Sequence, residues 1–216
     1  MNEREQSARI GLVAAGARLG ARGLIVATEG NFSVRLDEGI LISPSGRRKD
    51  ALTPDDLVVV AFEAPVEGVS AELSGALHGA GHAPSSDIVI HRAIYRARPD
   101  VGAIVHAHLA AAIALTIVGL TPDPQALPET ALFLPRLPFV PYAPPGSDPL
   151  AAMVVEALTD ADEPAAFPNA ALLERHGAIA VGPDPDVAGD RLELADLLCR
   201  VYRDTVLLRA ARAIGG

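Results

Sequence analysis

Val101-Gly102-Ala103-Ile104-Val105-His106-Ala107-His108 is a short apolar run that ends in two histidines, and the Ala-rich stretch Leu109 to Gly119 leaves it directly. Pro99 bounds it upstream, so length and composition predict a buried strand passing into a helix. Side chains alternate across a strand, which puts His106 and His108 on one face, roughly 6 to 7 Å apart at Cα. Two imidazoles so placed can converge on one ion.

The flanking elements follow from periodicity and punctuation. Upstream, Asn2 to Arg22 carries Ile10, Leu12, Val13, Ala17 and Leu19 at helical spacing and closes at Gly20 and Gly23. Asn31 to Leu36 and Gly39 to Ser43 read as a hairpin around Asp37-Glu38-Gly39. Thr53-Pro54-Asp55-Asp56 offers a cap, an early proline and early acidic charge, which predicts a helical turn before a strand at Val58 to Phe62. Residues 63–83 read as a Gly- and Ala-rich loop, after which Pro84-Ser85-Ser86-Asp87 opens a helix ending near Pro99. Downstream, the prolines between Pro122 and Pro149 argue against any helix there and leave at best an edge strand among loops. Ala151 to Leu158 reads as a helix, Ala170 to Val181 as a strand broken at Arg175-His176-Gly177, and Val187 to Ala213 as a long closing helix.

A chain of 216 residues suits one domain with a full core, taken here as 1–216. Half the residues are hydrophobic and 21% charged, which excludes a disordered or fibrous chain. A formal charge of -9 argues against nucleic acid and anionic membranes, whose phosphates recruit clustered Lys and Arg. Small molecules and copies of the chain itself are the expected partners. The single cysteine, Cys199, has no internal partner and lies in an apolar helical stretch, as a packed thiol in a reducing cytoplasm would. The first twenty residues lack the layout of a signal peptide. The most apolar run, Ile104 to Gly119, carries two histidines and falls short of the about twenty residues that span a bilayer. The expectation is a cytoplasmic protein without a membrane span.

Imidazole nitrogen is a preferred ligand of Zn²⁺, and catalytic zinc takes three protein ligands while leaving a position open. His176 is the best third ligand, because it interrupts an apolar strand and precedes Gly177, which permits a tight turn. The competing account is that His-x-His is chance and each ring is a hydrogen-bonded core histidine. Asp87 places a carboxylate where a helix dipole favours it, and also suits a plain helix start. Ser85 and Ser86 beside it, and the turns Thr28-Glu29-Gly30-Asn31 and Ser43-Pro44-Ser45-Gly46, can present N–H and hydroxyl donors to an anion, although each alone is an ordinary turn. His78 and His82 read as solvated loop residues, whereas His91 shares a helix face with Asp87, either behind the site or capping that face. Lys49, the only lysine, sits in Arg47-Arg48-Lys49-Asp50, where a desolvated low-pKa amine is not expected.

Taken in order, Thr28-Glu29-Gly30-Asn31-Phe32-Ser33-Val34-Arg35, Ile42-Ser43-Pro44-Ser45-Gly46, Pro84-Ser85-Ser86-Asp87, His106-Ala107-His108 and His176-Gly177 resemble the class II aldolase/adducin family, which includes L-fuculose-1-phosphate aldolase and L-ribulose-5-phosphate 4-epimerase. The resemblance runs over nearly the whole chain. It implies an α/β protein with three α/β/α layers around a mostly antiparallel sheet, and a fourfold-symmetric homotetramer with sites between subunits. It also implies Zn²⁺, or another divalent metal, on His106, His108 and His176. Asp87 matches a further metal-site residue, and Gly30, Asn31, Ser45, Gly46, Ser85 and Ser86 match a phosphate pocket.

The aldolases of the family carry Glu where this chain has Asp87, a residue that contacts metal and shuttles protons; the epimerase has Asp. Against the epimerase, Leu127 to Val140 offers no acid matching its second catalytic Asp, and no tyrosine follows Ala213. Pro141-Tyr142-Ala143 with Gly146-Ser147 resembles an aldolase stretch. The resemblance therefore implies cleavage of a small ketose phosphate to dihydroxyacetone phosphate and an aldehyde, with the metal as Lewis acid and Asp87 as proton carrier. If Asp87 is only a ligand, water or Tyr142 takes the proton. The rivals are a sugar-phosphate epimerase, dehydratase or decarboxylase, and a non-catalytic adducin-like binding module, a class that lacks the ligand histidines.

Overall fold

The structure is a computed structural model describing residues 2–62, 76–78, 81–162 and 167–214, with the backbone alone for 76–78. Its elements are α1 (Glu3–Ala21), β1 (Asn31–Arg35), β2 (Gly39–Ile42), β3 (Val58–Ala61), β4 (Ala76–His78), α2 (Ile88–Ala97), β5 (Ala103–Ala107), α3 (Ala110–Ile117), α4 (Pro128–Phe133), β6 (Phe139–Val140), α5 (Asp148–Thr159), β7 (Ala170–Leu173), β8 (Gly177–Gly182) and α6 (Pro185–Ile214). Asn2 starts α1 as a side-chain cap, its Oδ1 accepting from Glu5 N at 2.8 Å.

Among the described residues the strands form one sheet in the order β4-β3-β2-β1-β5-β8-β7-β6. The sheet is mixed: neighbouring strands run antiparallel except β6 and β7, which are parallel. Both faces are covered, so central strands such as β5 and β8 are buried throughout and read as apolar runs. On one face Leu41, Val59, Val105, Leu172 and Ala180 pack with Leu12 and Leu19 of α1, Leu115 of α3 and Leu192 of α6. On the other, Ile40, Val60, Ile104, Ile179 and Val181 meet Ile90 and Ile94 of α2 and Leu150 and Val154 of α5. This alternation places β5, flanked by β1 and β8, at the middle of the molecule.

One expectation fails in the proline-rich segment. Helix is present between Pro122 and Pro149, as a 3₁₀ turn at Pro124–Ala126 and as α4, because proline at a first helical position gives up only an N–H that has no intrahelical acceptor. α5 begins at Asp148, capped by Ser147 Oγ on Leu150 N. The anticipated edge strand is β6. The strand expected over 170–181, broken at Arg175-His176-Gly177, is the antiparallel pair β7 and β8, which folds back at that break. His78 stands in β4 rather than in a loop; the rest of that loop, 63–75 and 79–80, lies outside the described residues. Cys199 is a packed thiol, its pKa pushed up to about 12 by burial and by nearby Asp196. No described helix is long and apolar enough to cross a membrane.

Candidate metal centre

His106 is paired in register with Asn31 of β1 on one side and Ile179 of β8 on the other. Its Nδ1 donates to Ala178 O at 2.9 Å, which leaves Nε2 as the nitrogen with a free lone pair. β5 ends at Ala107, so His108 sits one residue past it; its Nδ1 lies 3.3 Å from Glu29 Oε2. His176 occupies the turn between β7 and β8. There Arg175 adopts a left-handed φ of 58°, and Gly177 a φ of 121° at which only glycine fits against Ala107 O. These turns bring the rings together, with centroids 5.2 Å apart for His106 and His108, 4.6 Å for His106 and His176, and 4.8 Å for His108 and His176. One ligand atom from each lies within 4.8 Å of the others, a group able to hold a metal ion.

The fit to a metal rests on atoms that lack partners. His106 Nε2, His176 Nδ1 and Asp87 Oδ1 are buried without a hydrogen bond. A buried polar atom left unsatisfied costs about 1–3 kcal/mol, so three in one site are built to bind something. Burial, reinforced by His176, holds the His106 pKa down to about 3. Burial also lowers His176. Both rings are therefore neutral near pH 7, with lone pairs available to a cation. Burial works against charge on Asp87, but His106, His176 and the Asn31 amide outweigh it, and the carboxyl titrates below its ordinary value. Asp87 precedes α2 yet makes no capping hydrogen bond, so a helix-start role does not account for it.

The Asn31 side chain is held between Asp87 and His91. Its Nδ2 donates to Asp87 Oδ2 at 2.7 Å and its Oδ1 accepts from His91 Nε2 at 2.6 Å, which fixes the amide at both ends. His91 lies behind the site, fully buried, its pKa lowered to about 4 by burial. The two serine turns are zipped together: Pro44 and Pro84 form an isolated β-bridge, Ser45 N donates to Ala83 O at 2.9 Å and Ser85 N to Ser43 O at 3.2 Å. Ser45, Gly46 and Ser86 are exposed there, whereas Ser85 is buried and its Oγ accepts from Asp87 N at 3.3 Å. Gly30, at φ 73°, packs so tightly on His106 O that an added Cβ would come within 2.6 Å of it.

Lys49 overturns its expectation. It is 2% exposed, and burial lowers its pKa to about 8. Its Nζ donates to Thr28 O at 2.9 Å and Arg47 O at 2.7 Å, which ties the Thr28 turn to the bend at Arg47. His82 is held 3.3 Å from Asp56 Oδ1 rather than solvated. Glu29, read from sequence only as part of an anion turn, is the carboxylate behind His108; the signal available was an acid in a turn otherwise suited to anions. Tyr142 is half-exposed, its N–H on Glu174 Oε2 at 2.9 Å and its ring 4.0 Å from the Arg175 guanidinium, so it borders the His176 turn.

Comparison with known proteins places this site in a family. The family model "Class II Aldolase and Adducin N-terminal domain" matches residues 11–203. The 3-oxo-tetronate 4-phosphate decarboxylase of Cupriavidus necator is 34% identical over 180 residues, 82% of this chain and 72% of that one. The 5-methylthioribulose-1-phosphate/5-deoxyribulose-1-phosphate aldolase of Escherichia coli O45:K1 is 29% identical over 200 residues, 89% of this chain and 85% of that one. The crystal structure of L-fuculose-1-phosphate aldolase from Thermus thermophilus superposes with a TM-score of 0.77 at 31% identity, covering 94% of this chain and 96% of that one. The chain is an enzyme and belongs to the class II aldolase and adducin N-terminal domain family.

Proposed function

We propose that the chain, as one domain over residues 1–216, is a metal-dependent lyase that cleaves a small ketose phosphate to dihydroxyacetone phosphate and an aldehyde. The observation that carries this reading is the convergence of His106, His108 and His176, one ligand atom of each within 4.8 Å of the others, with His106 Nε2 and Asp87 Oδ1 buried and unpaired. His106, His108 and His176 would hold a Zn²⁺ or other divalent ion, which would supply a Lewis acid for the electron pair released as the carbon–carbon bond breaks. Asp87 serves as the proton carrier through Oδ1: it takes the hydroxyl proton from the carbon that becomes the aldehyde and returns a proton to the other fragment. Oδ2 stays bound to Asn31. Ser45, Gly46, Ser85 and Ser86 hold the phosphate, a role supported by the bridge that joins their two turns. Gly30 shapes the wall between phosphate and metal, and Asn31 acts on the Asp87 side.

The three-layer α/β/α frame with a largely antiparallel sheet carries this site in the cytoplasm. Copies assemble as a homotetramer with sites at subunit interfaces. Exposed apolar residues on the α3 and α6 ends, including Val118, Leu207, Leu208 and Ile214, support assembly.

A second reading, decarboxylation of a 3-oxo acid phosphate, is favoured by the 34% identity to the Cupriavidus necator enzyme. It needs the same stabilised electron pair, left when CO₂ departs. Incubating metal-loaded protein with fuculose 1-phosphate, ribulose 1-phosphate, ribulose 5-phosphate and 3-oxo-tetronate 4-phosphate separates the two. Dihydroxyacetone phosphate with an aldehyde is the expected outcome. Release of CO₂ alone establishes the second reading, and an epimer or dehydrated product without aldehyde overturns both. A protein that retains well under one equivalent of metal after reconstitution overturns the metal-dependent mechanism.

A further inference from the structure

Five buried polar side chains, with Asp87 at their head, form one continuous line between α2 and β1. Asp87, His91 and Tyr95 are spaced four apart along one helix face, and Asn31 and Ser33 two apart on one strand face, so the two sets interleave. The links are Asn31 Nδ2 to Asp87 Oδ2 at 2.7 Å, His91 Nε2 to Asn31 Oδ1 at 2.6 Å, His91 Nδ1 to Ser33 Oγ at 2.6 Å, and Ser33 Oγ to Tyr95 Oη at 2.8 Å. At the far end the Arg35 guanidinium lies 4.7 Å from the centre of the Tyr95 ring and donates to Val101 O and Arg98 O at 2.8 and 2.9 Å.

The charge on Asp87 fixes the direction of every proton in this line. A carboxylate oxygen requires the N–H side of the Asn31 amide, so Asn31 Oδ1 faces His91 and must receive its Nε2–H. His91, fully buried with Asn31 and Ser33 on its two ring nitrogens, donates from Nε2 and so has a bare Nδ1 that accepts from the Ser33 hydroxyl. Ser33 in turn accepts from the Tyr95 phenol, which burial keeps protonated. Each donor points toward Asp87, and hydrogen bonds aligned head to tail polarise one another.

We propose that His91, Ser33 and Tyr95 are positioning residues for Asp87, holding Oδ2 as a permanent acceptor so that Oδ1 alone exchanges the proton with substrate. This rests on the reading of Asp87 as proton carrier. A carboxylate with two equivalent free oxygens rotates and divides its proton between them; one clamped from behind presents a single oxygen at a fixed angle. A line that served only to join α2 to β1 would not need one donor direction throughout.

The test uses the full-length, metal-loaded protein labelled with ¹⁵N-histidine, alongside Ser33→Ala and Tyr95→Phe, each of which removes one oxygen with little change of shape. His91 is expected to carry its proton on Nε2, and its Nδ1 resonance to move in Ser33→Ala. Both variants are expected to lose roughly 10- to 100-fold in kcat, with KM and bound metal unchanged. A proton on His91 Nδ1 overturns the proposal, and so does wild-type kcat in both variants or a loss of kcat that follows loss of metal. If no form cleaves any substrate, the lyase reading falls, and the histidine spectra still decide the line: an Nδ1 resonance that Ser33→Ala leaves in place refutes it.

Discussion

Glu29 Oε2 lies 3.3 Å from His108 Nδ1, and the other oxygen of the same carboxylate accepts the Val26 N–H at 2.8 Å. The acid is thus held from behind by its own turn and orients the imidazole, leaving His108 Nε2 for the metal. Partners of this kind are worth about 10- to 100-fold in metal affinity. Glu29→Gln should weaken metal binding by that factor in a chelator competition titration while barely moving the melting temperature of the metal-free protein. Unchanged affinity would remove Glu29 from the metal centre.

At Gly177 the backbone passes so close to β5 that a methyl group would run into Ala107 O and lie 2.8 Å from His108 Cα. Gly177→Ala also forces a side chain onto a φ of 121°. The strain alone costs on the order of 1–3 kcal/mol. Two of the three clustered histidines flank this contact, so the variant should melt lower and bind less than one metal per chain. Full metal occupancy, measured by atomic emission, would mean the turn tolerates a side chain.

Lys49 buries its ammonium to clamp the carbonyls of Thr28 and Arg47. Lys49→Met keeps the length but leaves both acceptors without their donor. The Thr28 turn should loosen and KM should rise roughly tenfold, about 1.4 kcal/mol, with a smaller effect on kcat. A kcat defect at constant KM would contradict the clamp.

Acid should destabilise the protein well above the carboxylate range. In the fold, mainly through burial, His91 titrates at about 4 and His106 at about 3, against 6.5 for each when unfolded. Between those values the unfolded chain holds more protons, so stability is complete above about pH 6.5 and declines as the pH falls toward 4. His176 is lowered too and adds the same sign. Asp87, lowered from 3.8, adds its loss only at still lower pH. Thermal unfolding of the metal-free protein should show a melting temperature that drops steadily from pH 6.5 to 4.5; a flat profile there would show that these rings are not buried neutral.

Much of the site was legible because its ligands sit on regular elements or interrupt them. His106 and His108 followed from strand alternation, and His176 from the break it makes in an apolar run. Partners that tertiary structure alone brings together were not legible. Asn31 reaches Asp87 across 56 positions of chain, and no local pattern announces a bond between residues so far apart. Lys49 was misread because Arg47 and Arg48 beside it are exposed, so the run looked solvated as a whole, while a loop twenty-one residues away supplied the Lys49 amine with an acceptor. The helix α4 is hidden in the sequence because Pro128 looks like a breaker, whereas in the first turn of a helix proline is tolerated.

His106 belongs to an interior strand with a neighbour on each side, opposite Asn31 and Ile179. Sliding β5 by a single residue against either neighbour would turn its imidazole into the opposite core and bring an alanine or a valine to the front. Misaligned chains would thus forfeit packing and metal together, so quality control on folding doubles as quality control on chemistry.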